Sequence, residues 1–292
     1  MSAAWSLIQE RSRFILMGAY PFDQHWRPAL VCLLFVSLYV ASALRACWRP
    51  WLLAAWVAVP AGAVLLMRGG LLGLSAVPTE MWGGLPLTFL LATVAFIAAF
   101  PVAAVLALGR RSPLPAIRVL SIGYIELIRG VPIVTFLFMA SVMFPLFVPE
   151  GFTVDKLLRA QVAFAMVVAA YLAEVIRGGL AAVPAGQYEA AASMGLRFWP
   201  ATILVVLPQA LRVSIPALVN TFIAVFKDTS LVIVIGLFDL LGAARAVVVD
   251  PRWFGSGVWV YLFVALVYFV FCFAVSRYTQ GLEKGLMARS HQ

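Results

Sequence analysis

Lys227-Asp228-Thr229-Ser230 interrupts an apolar run between Val225 and Leu231. Charges at such depth in hydrocarbon are costly and are usually functional or paired. Two chemistries fit. Lys227 and Asp228 can neutralise each other, or they can separately meet the carboxylate and ammonium of a small zwitterion. Unwound backbone around Thr229 and Ser230 would then add amide and carbonyl groups. A structural alternative is a helix start, with Asp228 or Thr229 capping the segment from Leu231 onward. Two further charge pairs, Glu126/Arg129 and Glu174/Arg177, are spaced three residues apart, which sets each pair on one helical face for mutual neutralisation. Glu126 and Arg129, beside Gly130 and Pro132, are the better candidates to line a solute path, while Arg177 reads as a brace between helices. Asn220 is a further path or interhelical contact.

None of these groups breaks bonds. There is no G-x-x-x-x-G-K-[ST] loop for ATP, no H-E-x-x-H and no G-x-S-x-G. No catalytic residue is therefore assigned. His25 and His291 are far apart, and Cys32, Cys47 and Cys272 lie in apolar runs, which points to no metal site and no disulfide framework.

The elements that must carry these residues are transmembrane helices. The 292-residue chain is 64% hydrophobic and only 11% charged, more apolar surface than a soluble domain of this size can hide. The apolar stretches are continuous rather than alternating, which excludes a β-barrel. The fold class is all-α and polytopic, with about seven spans near 29–44, 51–67, 85–108, from 115 toward 148, 161–180, 201–225 and 258–275. Residues 231–241 are too short to cross and read as a re-entrant or peripheral piece. Residues 1–28 form either an amphipathic surface helix, with Trp5, Ile8 and Ile15 near one face, or a loose tail. No cleavable signal peptide is evident.

The net charge of +9 is read as lipid anchoring rather than nucleic-acid binding, since the cations flank the spans. Arg45, Arg49, Arg110, Arg111, Arg118, Arg197 and Arg277 mark the cytoplasmic loops, with Lys284 and Arg289 in a cytoplasmic tail. Arg68, Lys156, Arg159, Arg245 and Arg252 fall outside, partly offset by Glu150, Asp155 and Asp250. Seven spans with an internal C-terminus place the N-terminus outside, against the preference of Arg11, Arg13 and Arg27.

One loop is built to be gripped. Tyr188 to Met194 is Ala-rich with Glu189 near its start, Gly195 supplies a left-handed turn, and Trp199-Pro200 opens a second helix. The run Glu189-Ala190-Ala191, three residues, Gly195, nine residues, Val205-Val206-Leu207-Pro208 resembles the EAA loop of bacterial ABC-importer permeases. Val205 stands where that family usually has Ile. The stretches Y-I-E-L-I-R-G-V-P at 124–132, V-P-A-G-Q-Y-E at 183–189 and K-D-T-S-L at 227–231 resemble the polar amino acid uptake family. With the extra apolar segments before residue 80, the chain is similar to the M permease type of the general L-amino acid importers.

The resemblance implies a permease core over 81–286, preceded by two extra helices in 29–80 and followed by a tail at 287–292. That core is a type I importer core of five helices, with a coupling loop at 184–208. It implies that Glu189, Ala190, Ala191, Met194, Gly195, Leu207 and Pro208 couple to an ATPase subunit, with Glu189 meeting a cation there. ATP and Mg are expected on that partner, with no cofactor on this chain. The other implied partners are a periplasmic amino acid binding protein and a second, homologous permease forming a heterodimer. The location implied is the bacterial inner membrane and the cargo an L-amino acid. The lesser alternative is that Glu189 simply caps its own helix, a contribution of about 0.3–1 kcal/mol. An ion-coupled secondary transporter, a channel and a non-transporting scaffold are the competing classes.

Overall fold

The computed structural model describes residues 2–290 apart from 71, 72, 150, 152, 254 and 256, with backbone only at 2–8, 45 and 284–290. Glu150 and His291, and the side chains of Trp5, Ile8, Arg45, Lys284 and Arg289, lie outside the described residues.

Twelve α-helical pieces follow one another among the described residues. They are α1 (Ser2–Met17), α2 (Trp26–Ala43), α3 (Pro50–Arg68), α4 (Gly84–Gly109), α5 (Pro115–Gly130), α6 (Ile133–Phe138), α7 (Lys156–Ala182), α8 (Ala185–Ser193), α9 (Phe198–Pro200), α10 (Leu207–Asp228), α11 (Leu240–Val248) and α12 (Gly257–Ser290). Six helical runs are long and apolar enough to cross a bilayer, and seven if the broken α5–α6 pair is one span. This matches the expected number.

The expected continuous fourth span is instead broken. Pro132 disfavours helical geometry at the preceding residue, and Val131 accordingly turns extended, with ψ 133°. Past α6 the helix widens to a π turn at Met139–Met143, just before Pro145. Proline lacks an N–H and crowds the carbonyl four residues back, here Ser141. Arg159 of α7 donates to that carbonyl at 2.5 Å and to Ala140 O at 3.3 Å. Lys156 and Arg159, expected in an external connection, are thus the first turn of α7, behind Asp155, whose Oδ1 accepts from Leu157 N at 2.8 Å.

The chain divides into two compact units. The first comprises Met1–Ile97, Ile133–Phe164 and Val225–Cys272. An aromatic cluster ties α2, α4, α10 and α12 together within it: Phe89 lies 5.8 Å from Phe35, 5.6 Å from Phe226 and 5.4 Å from Phe271 between ring centroids. Such offset and edge contacts stabilise beyond simple burial. A second cluster seats α1. Ile15 is fully buried among Leu240, Ala244, Val247, Val260 and Val264, and Arg11 pairs with Asp250 at 3.1 Å. The N-terminal segment is thus a helix packed on protein along its Ile15 face. Backbones meet at its end, where a Cβ on Gly84 would run into the Leu16 carbonyl.

The apolar stretch 231–241 resolves into two parts. Residues 229–235 continue α10 as a tighter 3-10 turn that ends at left-handed Gly236. After the extended pair Phe238–Asp239, α11 begins with Asp239 as its true N-cap, accepting from Gly242 N at 2.9 Å.

The second unit comprises Ala98–Pro132, Ala165–Ala224 and Phe273–Gln292. Its helices approach closely where glycine allows. A Cβ on Gly179 would collide with Ser214 Oγ and the Ala210 carbonyl, so α7 and α10 cross there almost backbone to backbone. Ser214 donates to Ala210 O at 2.9 Å, keeping its hydroxyl satisfied in that contact.

Candidate functional site: a capped loop helix

The loop helix α8 starts at Ala185, behind Pro184 as N-cap. Glu189 therefore sits past the first turn, where it reaches none of the unpaired amides at the helix start. The capping reading of Glu189 is corrected on that geometry. The helix ends as glycine dictates: Gly195, at φ 81°, donates to Ala192 O at 2.9 Å, and Leu196 donates to Ala191 O at 3.0 Å. These two bonds are the Schellman pattern and satisfy the last carbonyls of the helix.

Two side-chain bonds fasten α8 to its unit. Arg111, just past α4, donates from Nη1 to the Tyr188 hydroxyl at 3.1 Å and to Leu180 O at 3.2 Å. Gln209 of α10 donates to Gln187 Oε1 at 3.0 Å and to Val205 O at 2.9 Å. Ala191, expected among the coupling residues, is buried at 3% exposed, which keeps it off the outer face of α8. Glu189 and Ala190 are exposed, and Met194 is 81% exposed. Among the described ion pairs Glu189 has none.

Past the turn, α9 leads into a π-helical segment, Ala201–Val206, and then α10. Pro208 explains the widening as Pro145 did earlier, since its ring would crowd the carbonyl of Leu204 in a regular helix. Leu207 and Pro208 thus form the foot of the long helix rather than part of the knob's outer face.

The two charge pairs behave differently. Glu174 and Arg177 pair at 2.9 Å, three residues apart on α7, as expected. Glu126 and Arg129 do not pair. Glu126 takes Arg110 at 3.3 Å, while Arg129 reaches across to Glu174 at 3.6 Å and lies 5.5 Å above the Tyr171 ring. Glu174 also accepts from Arg110 at 2.5 Å. It is the hub of three arginines: Arg110 just past α4, Arg129 in the last turn of α5 and Arg177 within α7. Sequence spacing sees only one helix at a time and missed this hub.

Lys227 and Asp228, in the other unit, close α10 and are exposed. Among the described residues no ion pair joins them. Asp228 makes no cap bond, and Thr229 is fully buried with its hydroxyl donating to Phe226 O at 2.9 Å, so the helix-start reading is corrected. Ser230 is half-buried and Asn220 exposed on α10. The backbone at Thr229–Ile235 is tightened rather than unwound.

Residues 99–287 match the family described as binding-protein-dependent transport system inner membrane component. The chain belongs to that family. Its relatives include the inner membrane amino-acid ABC transporter permease protein YhdY of Escherichia coli, 50% identical over 97% of this chain and 77% of that protein. The glutamate/glutamine/aspartate/asparagine transport system permease protein BztC of Rhodobacter capsulatus is 36% identical over 99% of this chain and 80% of that protein. Among solved structures, the crystal structure of an amino acid ABC transporter with histidines aligns with a TM-score of 0.61 and 31% identity, covering 69% of this chain and 91% of that one. The methionine transporter MetNI, at 19% identity and a TM-score of 0.51, shares the fold. The protein is a non-enzymatic permease subunit of an ABC importer in an inner membrane, and ATP hydrolysis belongs to a separate subunit. Membership implies ATPase and binding-protein partners.

Proposed function

We propose that this subunit carries L-amino acids across the bacterial inner membrane by alternating access, driven through α8. What supports the reading is one feature: a short helix, capped at Gly195 and fastened by Arg111 and Gln209, with Glu189, Ala190 and Met194 turned outward. A ligand-driven change needs differential contact in two states, and a rigid helix transmits such a difference where a loose loop would not. Glu189 meets a cation in the groove of an ATPase subunit, which binds ATP and Mg. The loop 184–208 and the C-terminus face the cytoplasm. A second, related but different permease completes the pore, and a periplasmic binding protein delivers the cargo. The amino acid cargo is carried over from the names of the relatives above.

The proposed solute-path residues are Glu126, Arg129, Asn220, Lys227, Asp228 and Ser230, with Thr229 holding the turn that ends α10. The test of coupling is Gly195→Leu. The variant should insert normally yet abolish stimulation of the ATPase by binding protein; normal stimulation rejects the proposal.

A further inference from the structure

A cleft of about 220 Å³ lies beside α8, within the second unit. Leu108, Leu180, Phe198 and Trp199 supply its apolar lining, and Arg111, Tyr188 and Thr202 its polar lining. The polar lining is incompletely satisfied. Thr202 is 2% exposed, yet its Oγ1 has no hydrogen-bond partner. Other hydroxyls on the long helices donate to the carbonyl four residues back, as Ser42, Thr88, Ser214 and Thr221 do. Leaving a buried hydroxyl unmatched is costly. Arg111 serves Leu180 O and Tyr188 from Nη1 alone, and its other guanidinium nitrogens make no described bond. Phe198 and Trp199, half exposed, stand at the rim at the start of a membrane-spanning run.

We propose that this cleft binds the phosphate of an anionic phospholipid. The Thr202 hydroxyl and the spare Arg111 nitrogens donate to phosphate oxygens, while Leu108, Leu180 and the two aromatic rings cover the glycerol and upper acyl chain. A lining that combines apolar side chains with a cation and hydroxyls argues for an ester with an apolar tail over a free anion, which would gain nothing from the apolar residues. Aromatic rings beside a cation are also the usual lining at the headgroup level. A lipid seated here touches Tyr188 of α8 and Thr202 of the following turn, so it props the loop helix from behind. Assigning the lipid to the cytoplasmic leaflet rests on the proposed orientation of α8.

The test uses the complete transporter in nanodiscs of phosphatidylcholine, with or without phosphatidylglycerol. Lipid retained after a detergent wash is counted by native mass spectrometry. The wild type should retain phosphatidylglycerol and release phosphatidylcholine. Thr202→Val should weaken that retention roughly tenfold, as expected for one hydrogen bond to a charged group. In discs of phosphatidylcholine alone its thermal midpoint should not fall, because the lost hydroxyl satisfied no protein group. Trp199→Ala should weaken retention as well. Equal retention by wild type and both variants would overturn the proposal. So would inorganic phosphate alone, in phosphatidylcholine discs, stabilising the wild type but not Thr202→Val, since the ligand would then be a free anion. The measurement needs neither nucleotide nor cargo, so its failure leaves the transport reading untouched, and failure of that reading does not affect it.

Discussion

Gly195 and Gly186 stand at opposite ends of one short helix and make a controlled pair. A Cβ built at either meets no atom within 4 Å, so any effect of alanine comes from the backbone alone. Gly186 lies in the first turn of α8 at ordinary helical geometry, and Gly186→Ala should stabilise the helix by about 0.5–1 kcal/mol through lost unfolded-state freedom. Gly195 sits at φ 81°, where an L-residue costs about 1–2 kcal/mol. Gly195→Ala therefore shifts the balance of capped to frayed helix by roughly 5- to 30-fold. Gly195→Asn should lose less, because asparagine tolerates the left-handed region. The readout is hydrogen exchange at the amides of Gly195 and Leu196, the two donors of the cap, alongside stimulation of the ATPase in the assembled complex. Amide protection and stimulation should fall together in Gly195→Ala, recover in part in Gly195→Asn, and hold or rise in Gly186→Ala. If Gly195→Ala loses stimulation with unchanged amide protection, the cap is not what transmits the motion, and the mechanical reasoning fails.

Three further outcomes are expected. Glu174→Gln removes the hub of Arg110, Arg129 and Arg177 and leaves Glu126 as the remaining carboxylate. Discounted for the partial exposure of Arg129 and Arg177, the loss should be about 1–3 kcal/mol of thermal stability, and a change under about 0.5 kcal/mol denies the hub a structural role. Lys227→Met with Asp228→Leu should impair uptake in membrane vesicles while the ATPase still co-purifies; unaltered uptake removes both from the path. Asp250, outside the spanning helices, is held down to about 2 by hydrogen bonds from the Arg252 side chain and amide, and then by the charges of Arg252 and Arg11. Its free carboxyl titrates near about 4. Between those values the unfolded chain binds more protons, so this tie of α1 is intact above that window and fades as pH falls through it. Asp250→Asn should therefore raise hydrogen exchange at residues 9–17 at neutral pH to the level that the native protein shows only in acid.

Much of this architecture was legible because hydrophobic length is a local property. The spans, the left-handed Gly195 and the early-helix Pro200 each follow from residues within one turn of themselves. Other features need a second element. Glu126 and Arg129 have ideal spacing for each other, yet Arg110 and Glu174 offer partners across the helix ends, and tertiary contacts override the local pair. The helix expected from Tyr188 begins instead at Ala185, for which Pro184 just ahead of it is a start signal. The α11 cap had a legible signal in Asp239 ahead of Leu240-Leu241. Asp228 ahead of Leu231 offers a similar local signal, yet it closes a helix. The π segments before Pro145 and Pro208 follow from proline chemistry, but sequence alone does not say whether a helix widens or stops.

The position of Glu189 carries the functional argument furthest. A carboxylate in the first turn would have a local reason to exist, because it would offset the helix dipole. In the middle of α8, exposed and without a partner among the described ion pairs, Glu189 gains nothing locally that an alanine would not supply at lower cost to helix formation. The burial pattern compounds the point, since Ala191, two residues on and so opposite Glu189, is buried, while Met194 at the helix end is almost wholly exposed. The helix thus spends its internal contacts on being held in place and leaves its charged and its largest apolar side chain outside. The run from Phe198 to Ile235 is one continuous helical stretch of 38 residues, and it bears Pro208 at its foot and Lys227 near its end. At about 1.5 Å per residue it is ~57 Å long, nearly twice the ~30 Å hydrocarbon thickness. Part of it must therefore stand outside the bilayer. In the proposed coupling, the Gln187–Gln209 bond is the point at which α8 grips the start of α10.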